Sequence, residues 1–412
     1  MIKIKSKFKH KVFKRKKKNK SFFKSKLKFI YITIFILLFL IIIIQTINKN
    51  ISFLFFKNNI IKQNEIISVK KYERFENMKH KYIIDSIINP YLEQITIFNY
   101  IYNKNHKQLK KNKNNIHICV GLTNEYLYPV LVAIKSVLVN CNKEKTFITC
   151  HVLCSSDFSE DSLLKLSSLM TQHSYNLEMI FYNMGNNFLN HYTQRFTQAS
   201  YYRTLSPILF DTDRVIYLDA DTLTLKDLSE MYQLEFNDNY VLGSLDYIVD
   251  GIDNMGIKSE KFINSGVILL NLEKIRKDKK IYDIINIVND SKNNVQDQAL
   301  INYVFYPKIG IMPSKYNIFN FNDELDIKIY YNLMRTKLNI TELKEAFKDP
   351  TTIHHVLCWP KMWSIHHRYV DGFSAAKERN NYSCEKYYNL WHSYAKKTSY
   401  YNEIITFASK SK

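Results

Sequence analysis

The segment Val215-Ile216-Tyr217-Leu218-Asp219-Ala220-Asp221 constrains this chain more than any other. Its apolar part is too short for a buried helix and has the composition of a strand. It stops at two carboxylates two residues apart. In an extended chain, residues i and i+2 point to the same face, so Asp219 and Asp221 can converge on one hard cation. In an open α/β sheet, ligands bind in the crevice beyond the carboxyl ends of the strands. A divalent ion held there can bridge to the diphosphate of a sugar nucleotide.

Two decoys need weighing. Asp211 and Asp213 repeat the spacing, but no strand leads into them, and the stretch reads as a solvated turn. Asp219, Asp221, Asp227 and Glu230 fall at EF-hand loop positions 1, 3, 9 and 12. That loop needs Gly at position 6 and an oxygen ligand at position 5, where this chain has Thr224 and Leu223.

The strand belongs to a longer alternation. Strands are expected at Ile116–Leu122, Phe147–Cys154, Leu177–Tyr182, Arg214–Leu218, Tyr240–Leu245 and Gly266–Leu272. Helices are expected at Tyr126–Asn140, from a cap among Ser155, Ser156 and Asp157 through Met170, near Gln194–Leu209, and at Asp297–Phe305. This pattern predicts an α/β domain with a mainly parallel central sheet and helices on both faces. Only eight glycines are present, with no GxxxxGK[ST] and no GxGxxG. A nucleotide diphosphate would have to be neutralised by metal and cationic side chains.

The net charge of +21 is concentrated at the start. Residues 1–28 hold thirteen Lys and Arg15, and the first acid is Glu65, which leaves about +7 for the rest. A nucleic-acid-binding fold is not implied. Phe29–Ile47 follows, nineteen residues with Thr33, Gln45 and Thr46 as polar positions. Its length suits a bilayer-crossing helix, and no small-x-small cleavage site comes after it. The expected layout is a basic cytoplasmic tail (1–28), a signal anchor (29–47), a stem (48–115) and a catalytic domain (116–405). The positive-inside rule would make this a single-pass type II membrane protein of the Golgi or ER with a luminal catalytic domain. Within the stem, Tyr82–Tyr102 has near-helical apolar spacing. Of the six cysteines, Cys119, Cys150 and Cys154 fall in expected core strands and read as small buried hydrophobes.

A second constellation is His355-Val356-Leu357-Cys358-Trp359-Pro360-Lys361-Met362-Trp363. A neutral imidazole at His355 can complete a carboxylate site for Mn²⁺, which accepts mixed O/N ligation. Lys361 is a point charge suited to a phosphate.

These blocks, with Ser200-Tyr201-Tyr202-Arg203-Thr204-Leu205, Asn264-Ser265-Gly266-Val267 and Asp297-Gln298 between them, resemble family 8 glycosyltransferases in order and spacing. The resemblance covers roughly residues 116–405, including an aromatic helix near Tyr387–Tyr401. It implies a GT-A fold, a Rossmann-like α/β domain. It implies Asp219, Asp221 and His355 as Mn²⁺ ligands, and Lys361 as the partner of the departing β-phosphate. Arg203, Asn264 and Asp297 resemble residues that hold the donor sugar. Gln298 resembles the residue beside the anomeric carbon. Gly121 to Tyr126, with Leu122, Thr123 and Tyr126, resembles the segment that binds uracil and ribose, and Ala220 and Cys358 fall on donor-contacting positions. Thr123 stands where the family has an Asp, Cys358 where it has a Gly, and Met362 where it has a Pro.

The implied function is metal-dependent, retaining transfer of glucose or galactose from a UDP-sugar to a hydroxyl of a glycan, lipid or protein. No carboxylate nucleophile can be placed beside Gln298 from sequence. Front-side attack by the acceptor hydroxyl is therefore expected, with the leaving phosphate oxygen taking the proton. The alternative is a catalytically inactive, membrane-anchored protein that binds a UDP-sugar or glycan on the same fold.

Overall fold

The computed structural model describes residues 68–72, 87–101, 110–172, 176–189, 197–246, 257–258, 261–290, 296–320, 327–328, 339–356, 361–363 and 385–410. All of them belong to one unit, Asn64–Lys412. The basic tail and the segment Phe29–Ile47 lie outside the described residues.

A nine-stranded sheet forms the centre. Its strands in chain order are β1 (Ser68–Tyr72), β2 (Thr96–Ile101), β3 (Asn114–Leu122), β4 (Thr146–Cys154), β5 (Leu177–Asn183), β6 (Arg214–Leu218), β8 (Val241–Leu245), β9 (Ile263–Asn271) and β10 (Ile309–Ile311), arranged as β1-β2-β5-β4-β3-β6-β9-β8-β10. A small second sheet joins β11 (Ile318–Phe319), β12 (Thr352–His354) and β7 (Thr222–Thr224). Strands β5, β4, β3 and β6 run parallel, and β8 pairs in parallel with β10. All nine residues of β4 are buried, as expected of a central parallel strand covered on both faces.

The sheet is mixed rather than uniformly parallel. β9 runs antiparallel to both β6 and β8. The two neighbours therefore point the same way, and the start of β9 lies at the edge where they end. This reversal puts Asn264, Ser265 and Gly266 beside Asp219.

Part of the expected stem is sheet. β1 and β2 form an antiparallel pair, and β2 pairs antiparallel with β5. The stretch expected to be helical around Tyr82–Tyr102 holds a short helix, Asn89–Leu92, and then β2. Residues 68–72 and 96–101 are thus corrected from stem to domain.

Helix Leu127–Asn140 buries most of its length, including Val130, Leu131, Ile134, Val137 and Leu138. On its side of the sheet, Val132 packs with Leu223, Ile318, Ile353, Trp363, Tyr387 and Trp391. The helices Glu385–Ala395 and Tyr401–Lys410 supply much of this layer. The other layer gathers Tyr202, Leu205, Tyr217, Ile268, Ile285 and Leu300. The helix after β4 is capped by Ser159, whose hydroxyl accepts from the Ser162 amide. Cys119, Cys141, Cys150 and Cys154 are free thiols, and burial raises all four.

Candidate active site

Three parallel strands, β3, β6 and β8, end at one edge of the sheet, and each is followed by polar residues. β3 leads to Thr123, β6 to Asp219 and Asp221, and β8 to Asp246. The turn after β6 is held by Asp219, whose amide donates to the Gly266 carbonyl at 2.8 Å. The Asp219 carbonyl accepts from the Thr222 hydroxyl at 2.8 Å. The chain then enters β7 and, after a turn, the helix Ser229–Tyr232, so these residues form no EF-hand loop. Asp227 instead accepts from the Asn142 amide and the Ser229 amide, and Glu230 pairs with Lys315.

β12 lies antiparallel to β7 with His354 opposite Thr222. This pairing carries a histidine from far along the chain to the carboxylates. His354 Nε2 is 3.1 Å from Asp221 Oδ1 and 3.8 Å from Asp219 Oδ2. The ligand atoms of Asp219, Asp221 and His354 all lie within 4.8 Å of one another. In this structure it is His354, the neighbour of the expected ligand His355, whose ring lies beside the carboxylates. Alternation along an extended chain sends the neighbouring side chain elsewhere. The His355 ring packs edge-on against Tyr387, with centroids 5.8 Å apart, and neither ring nitrogen has a hydrogen-bond partner. Burial holds His355 down to about 3, so its ring is neutral.

Gly266 makes room for this arrangement. A Cβ there would meet the His354 ring and come within 2.7 Å of Asp219 Oδ2. The backbone can approach this closely only without a side chain.

Arg203, fully buried, comes from the irregular helical stretch Ala199–Leu209. Its guanidinium donates to Asp297, to the Ser265 carbonyl at 2.7 Å and to Asp219 Oδ1 at 3.4 Å. It stacks 4.2 Å from the Tyr217 ring centroid. Gln298 follows Asp297 at the start of the helix Asp297–Phe305. Its Oε1 accepts from the Ser265 amide at 3.1 Å, and its Nε2 donates to Asp246 at 2.6 Å. Asn264 donates to Asp246 at 3.3 Å. Lys361 Nζ reaches Asp221 Oδ2 at 2.6 Å and the His355 carbonyl at 2.7 Å.

The expected residues Arg203, Asp219, Ala220, Asp221, Asn264, Asp297, Gln298 and Lys361 thus meet at one edge. Leu122, Thr123 and Tyr126 close β3 at the same edge. Leu122 is buried, the Thr123 hydroxyl is buried without a partner, and Tyr126 packs edge-on against Trp363 at 6.0 Å. Cys358 lies outside the described residues.

Sequence reading missed His354 and Asp246. Asp246 had a signal: Val241–Leu245 is an apolar strand ending at an acid, as Val215–Leu218 is. Its position also corrects the premise that no carboxylate stands beside Gln298.

Electrostatics suit a cation. Asp219, Asp221, Asp246 and Asp297 face two permanent cations, Arg203 and Lys361. Burial pushes Asp219 up, against the pull of Arg203 and His354. Burial would also raise Asp221, but Lys361 and then His354 hold it well below the usual carboxylate range. The excess of negative charge, with oxygen donors and one imidazole, fits a hard or borderline divalent cation. The two buried, unpartnered nitrogens of His355 add donor capacity close by.

This fold and site define a glycosyltransferase. The sequence pattern of Glycosyl transferase family 8 matches residues 117–366, and the chain belongs to that family. A lipopolysaccharide 1,2-glucosyltransferase of Escherichia coli is 26% identical over 298 residues, covering 68% of this chain and 81% of the relative. A lipopolysaccharide 1,3-galactosyltransferase of Salmonella typhimurium is 26% identical over 265 residues, covering 60% and 74%. Among solved structures, the apo bifunctional glycosyltransferase WbbM superposes with a TM-score of 0.56 at 18% identity, covering 71% of this chain and 51% of that one. The likeness supports a GT-A-like α/β fold with a mixed sheet.

These relatives overturn the expected localisation. They are bacterial lipopolysaccharide enzymes, not type II proteins of the Golgi or ER. Among the described residues, no helix is long and apolar enough to cross a membrane.

Proposed function

We propose that the protein transfers a hexose, glucose or galactose, from a UDP-sugar to a hydroxyl of a glycan acceptor, with Mn²⁺ held by Asp219, Asp221 and one of the adjacent histidines His354 and His355. The observation that carries this reading is the excess of negative charge where β6, β8 and β9 meet. It stands against a cationic pair, Arg203 and Lys361, suited to phosphate and sugar oxygens. The names of the two bacterial relatives favour a hexose and a glycan acceptor.

A divalent cation, when bound, supplies charge stabilisation at the leaving diphosphate. The chain's own groups do the rest. Lys361 is held 2.6 Å from Asp221 and can answer the charge that develops on the β-phosphate. The Gln298 amide is clamped in one orientation between the Ser265 amide and Asp246, which suits it to a fixed place beside the donor sugar. The Asp246 carboxylate beside Gln298 is engaged by the Gln298 and Asn264 amides, so the acceptor hydroxyl rather than this carboxylate attacks the anomeric carbon, from the side of the leaving group. The carbon–oxygen bond to UDP breaks, its electron pair stays on the phosphate oxygen, and that oxygen takes the hydroxyl proton. Thr123 and Tyr126, at the end of β3, are the residues assigned to the base.

The test is UDP release by the full chain from UDP-glucose and UDP-galactose, with and without Mn²⁺. Metal-dependent release from one donor, reduced about 10³-fold in Asp221→Asn, is expected. A folded wild-type protein that binds UDP-sugar but releases no UDP with any glycan acceptor would instead indicate the inactive binding protein.

A further inference from the structure

Asn302 is fully buried on the helix Asp297–Phe305, one turn after Gln298. Its side-chain amide behaves like an added strand residue. Oδ1 accepts from the Ile263 amide at 2.8 Å, and Nδ2 donates to the Ile263 carbonyl at 2.9 Å. Nδ2 also donates to the Gln298 carbonyl at 2.9 Å. One turn earlier, Gln298 makes a second rung, its Oε1 accepting from the Ser265 amide at 3.1 Å. Four residues of helix rise about 6 Å and two residues of strand about 6.6 Å, so Asn302 opposite Ile263 and Gln298 opposite Ser265 keep step. The rungs stand beyond the end of β6. Its ladder with β9 stops at Leu218 opposite Val267, and Ile263 to Gly266 run past it. Buried backbone groups need partners, and these two side-chain amides supply them.

We infer that Asn302 is a positioning residue. It fixes the height and rotation of the helix Asp297–Phe305 against β9, and so the place where Gln298 meets Asn264, Ser265 and Asp246. The inference rests on the place given above to Gln298 beside the donor sugar. Asparagine suits the position because the Ile263 amide needs an acceptor while two carbonyls need donors, and one carboxamide provides both. A leucine would leave the Ile263 amide and carbonyl unanswered in the interior. A serine can still bond the Gln298 carbonyl within its own helix but is too short for Ile263.

The experiment is a double-mutant cycle on the full chain, with circular dichroism as the check on folding. Wild type, Asn302→Leu, Asn302→Ser, Gln298→Ala and the combination of Gln298→Ala with Asn302→Ser are compared. The readouts are kcat for UDP release from UDP-glucose and UDP-galactose, and the dissociation constants of UDP and of the two UDP-sugars. A merely structural role would lower stability and leave kcat of the folded protein alone. A small misplacement of a positioned group costs up to about 100-fold, so kcat should fall about 10–100-fold in Asn302→Leu and Asn302→Ser. UDP should bind both variants within about threefold of wild type, because only the sugar side has moved. In the Gln298→Ala background, Asn302→Ser should cost less than about threefold more, because both act through one group. If the leucine variant does not fold, the serine variant still decides. Wild-type kcat in folded Asn302→Ser would overturn the role of Asn302. So would an equal loss of UDP affinity, or the full loss repeated in the Gln298→Ala background. Gln298→Ala with wild-type kcat and wild-type UDP-sugar affinity would instead overturn the place of Gln298. Where wild type binds a UDP-sugar without releasing UDP, the same cycle is read in that dissociation constant, with the same outcomes. Absence of UDP-sugar binding by folded wild type would overturn the proposed function itself.

Discussion

Two buried polar clusters lie a few strands apart in the same sheet, and they differ in what they leave unfinished. On β3, β4 and β5, Asn115, His117, His151 and Tyr182 form a closed chain of hydrogen bonds of 2.8, 2.9 and 3.0 Å. Thr149 donates to Asn115 at 2.9 Å, and Lys110 pairs with Glu178 at 2.6 Å. Burial, then the charge of Lys110, holds His117 down to about 4, and burial takes His151 well below its usual value. Both rings are neutral and each of their nitrogens has a partner. Beyond β6, by contrast, carboxylates outnumber cations, and the buried nitrogens of His355 have no partner. Histidine content marks both clusters as sites. Satisfaction separates them: the first is complete by itself, while the second leaves donor atoms open to a ligand.

The sharpest way to break this comparison is at Arg203. Removing one member of a buried pair strands the other charge, at about 3–5 kcal/mol. Arg203→Met should lose this much stability in a denaturant titration, and adding Asp297→Asn should recover a good part of it. Full additivity of the two substitutions would mean that the pair is not coupled.

The histidine chain predicts a smaller effect with a definite sign. His117 takes up a proton in the unfolded chain near pH 6.5 but in the folded protein only near 4. Between these values the unfolded state binds more protons, so stability falls as pH falls. The loss from His117 is about 3 kcal/mol and is complete below pH 4. Denaturation midpoints at pH 7, 5.5 and 4 measure it, and the slope should flatten in His117→Phe. A wild-type slope in that variant would mean that the ring titrates freely. The least effect is expected of Tyr182→Phe, which removes the end of the chain. It should cost about 1–2 kcal/mol and leave UDP-sugar turnover unchanged.

What could be read in the sequence follows the same division. Arg214–Leu218 and Asp297–Phe305 have the boundaries expected of them, because a local apolar period and a polar stop define each. Asp219 and Asp221 could be read because two residues on one strand end need only period-two geometry. The direction of β9 could not, since an apolar run carries no sign of which way its neighbours point. β1 and β2 were hidden by a composition rich in Asn, Lys and Ile that resembles a linker. The choice between His354 and His355 depends on which of two adjacent side chains faces Thr222 across β12 and β7, and a local motif does not record that pairing.

The central claim is that a divalent cation completes the cluster of Asp219, Asp221 and one adjacent histidine. The most direct measurement compares Mn²⁺ affinity in His354→Ala and His355→Ala at equal folding. The account predicts a loss of at least about tenfold in one of the two variants, which names the third ligand. Wild-type Mn²⁺ affinity in both variants would contradict it.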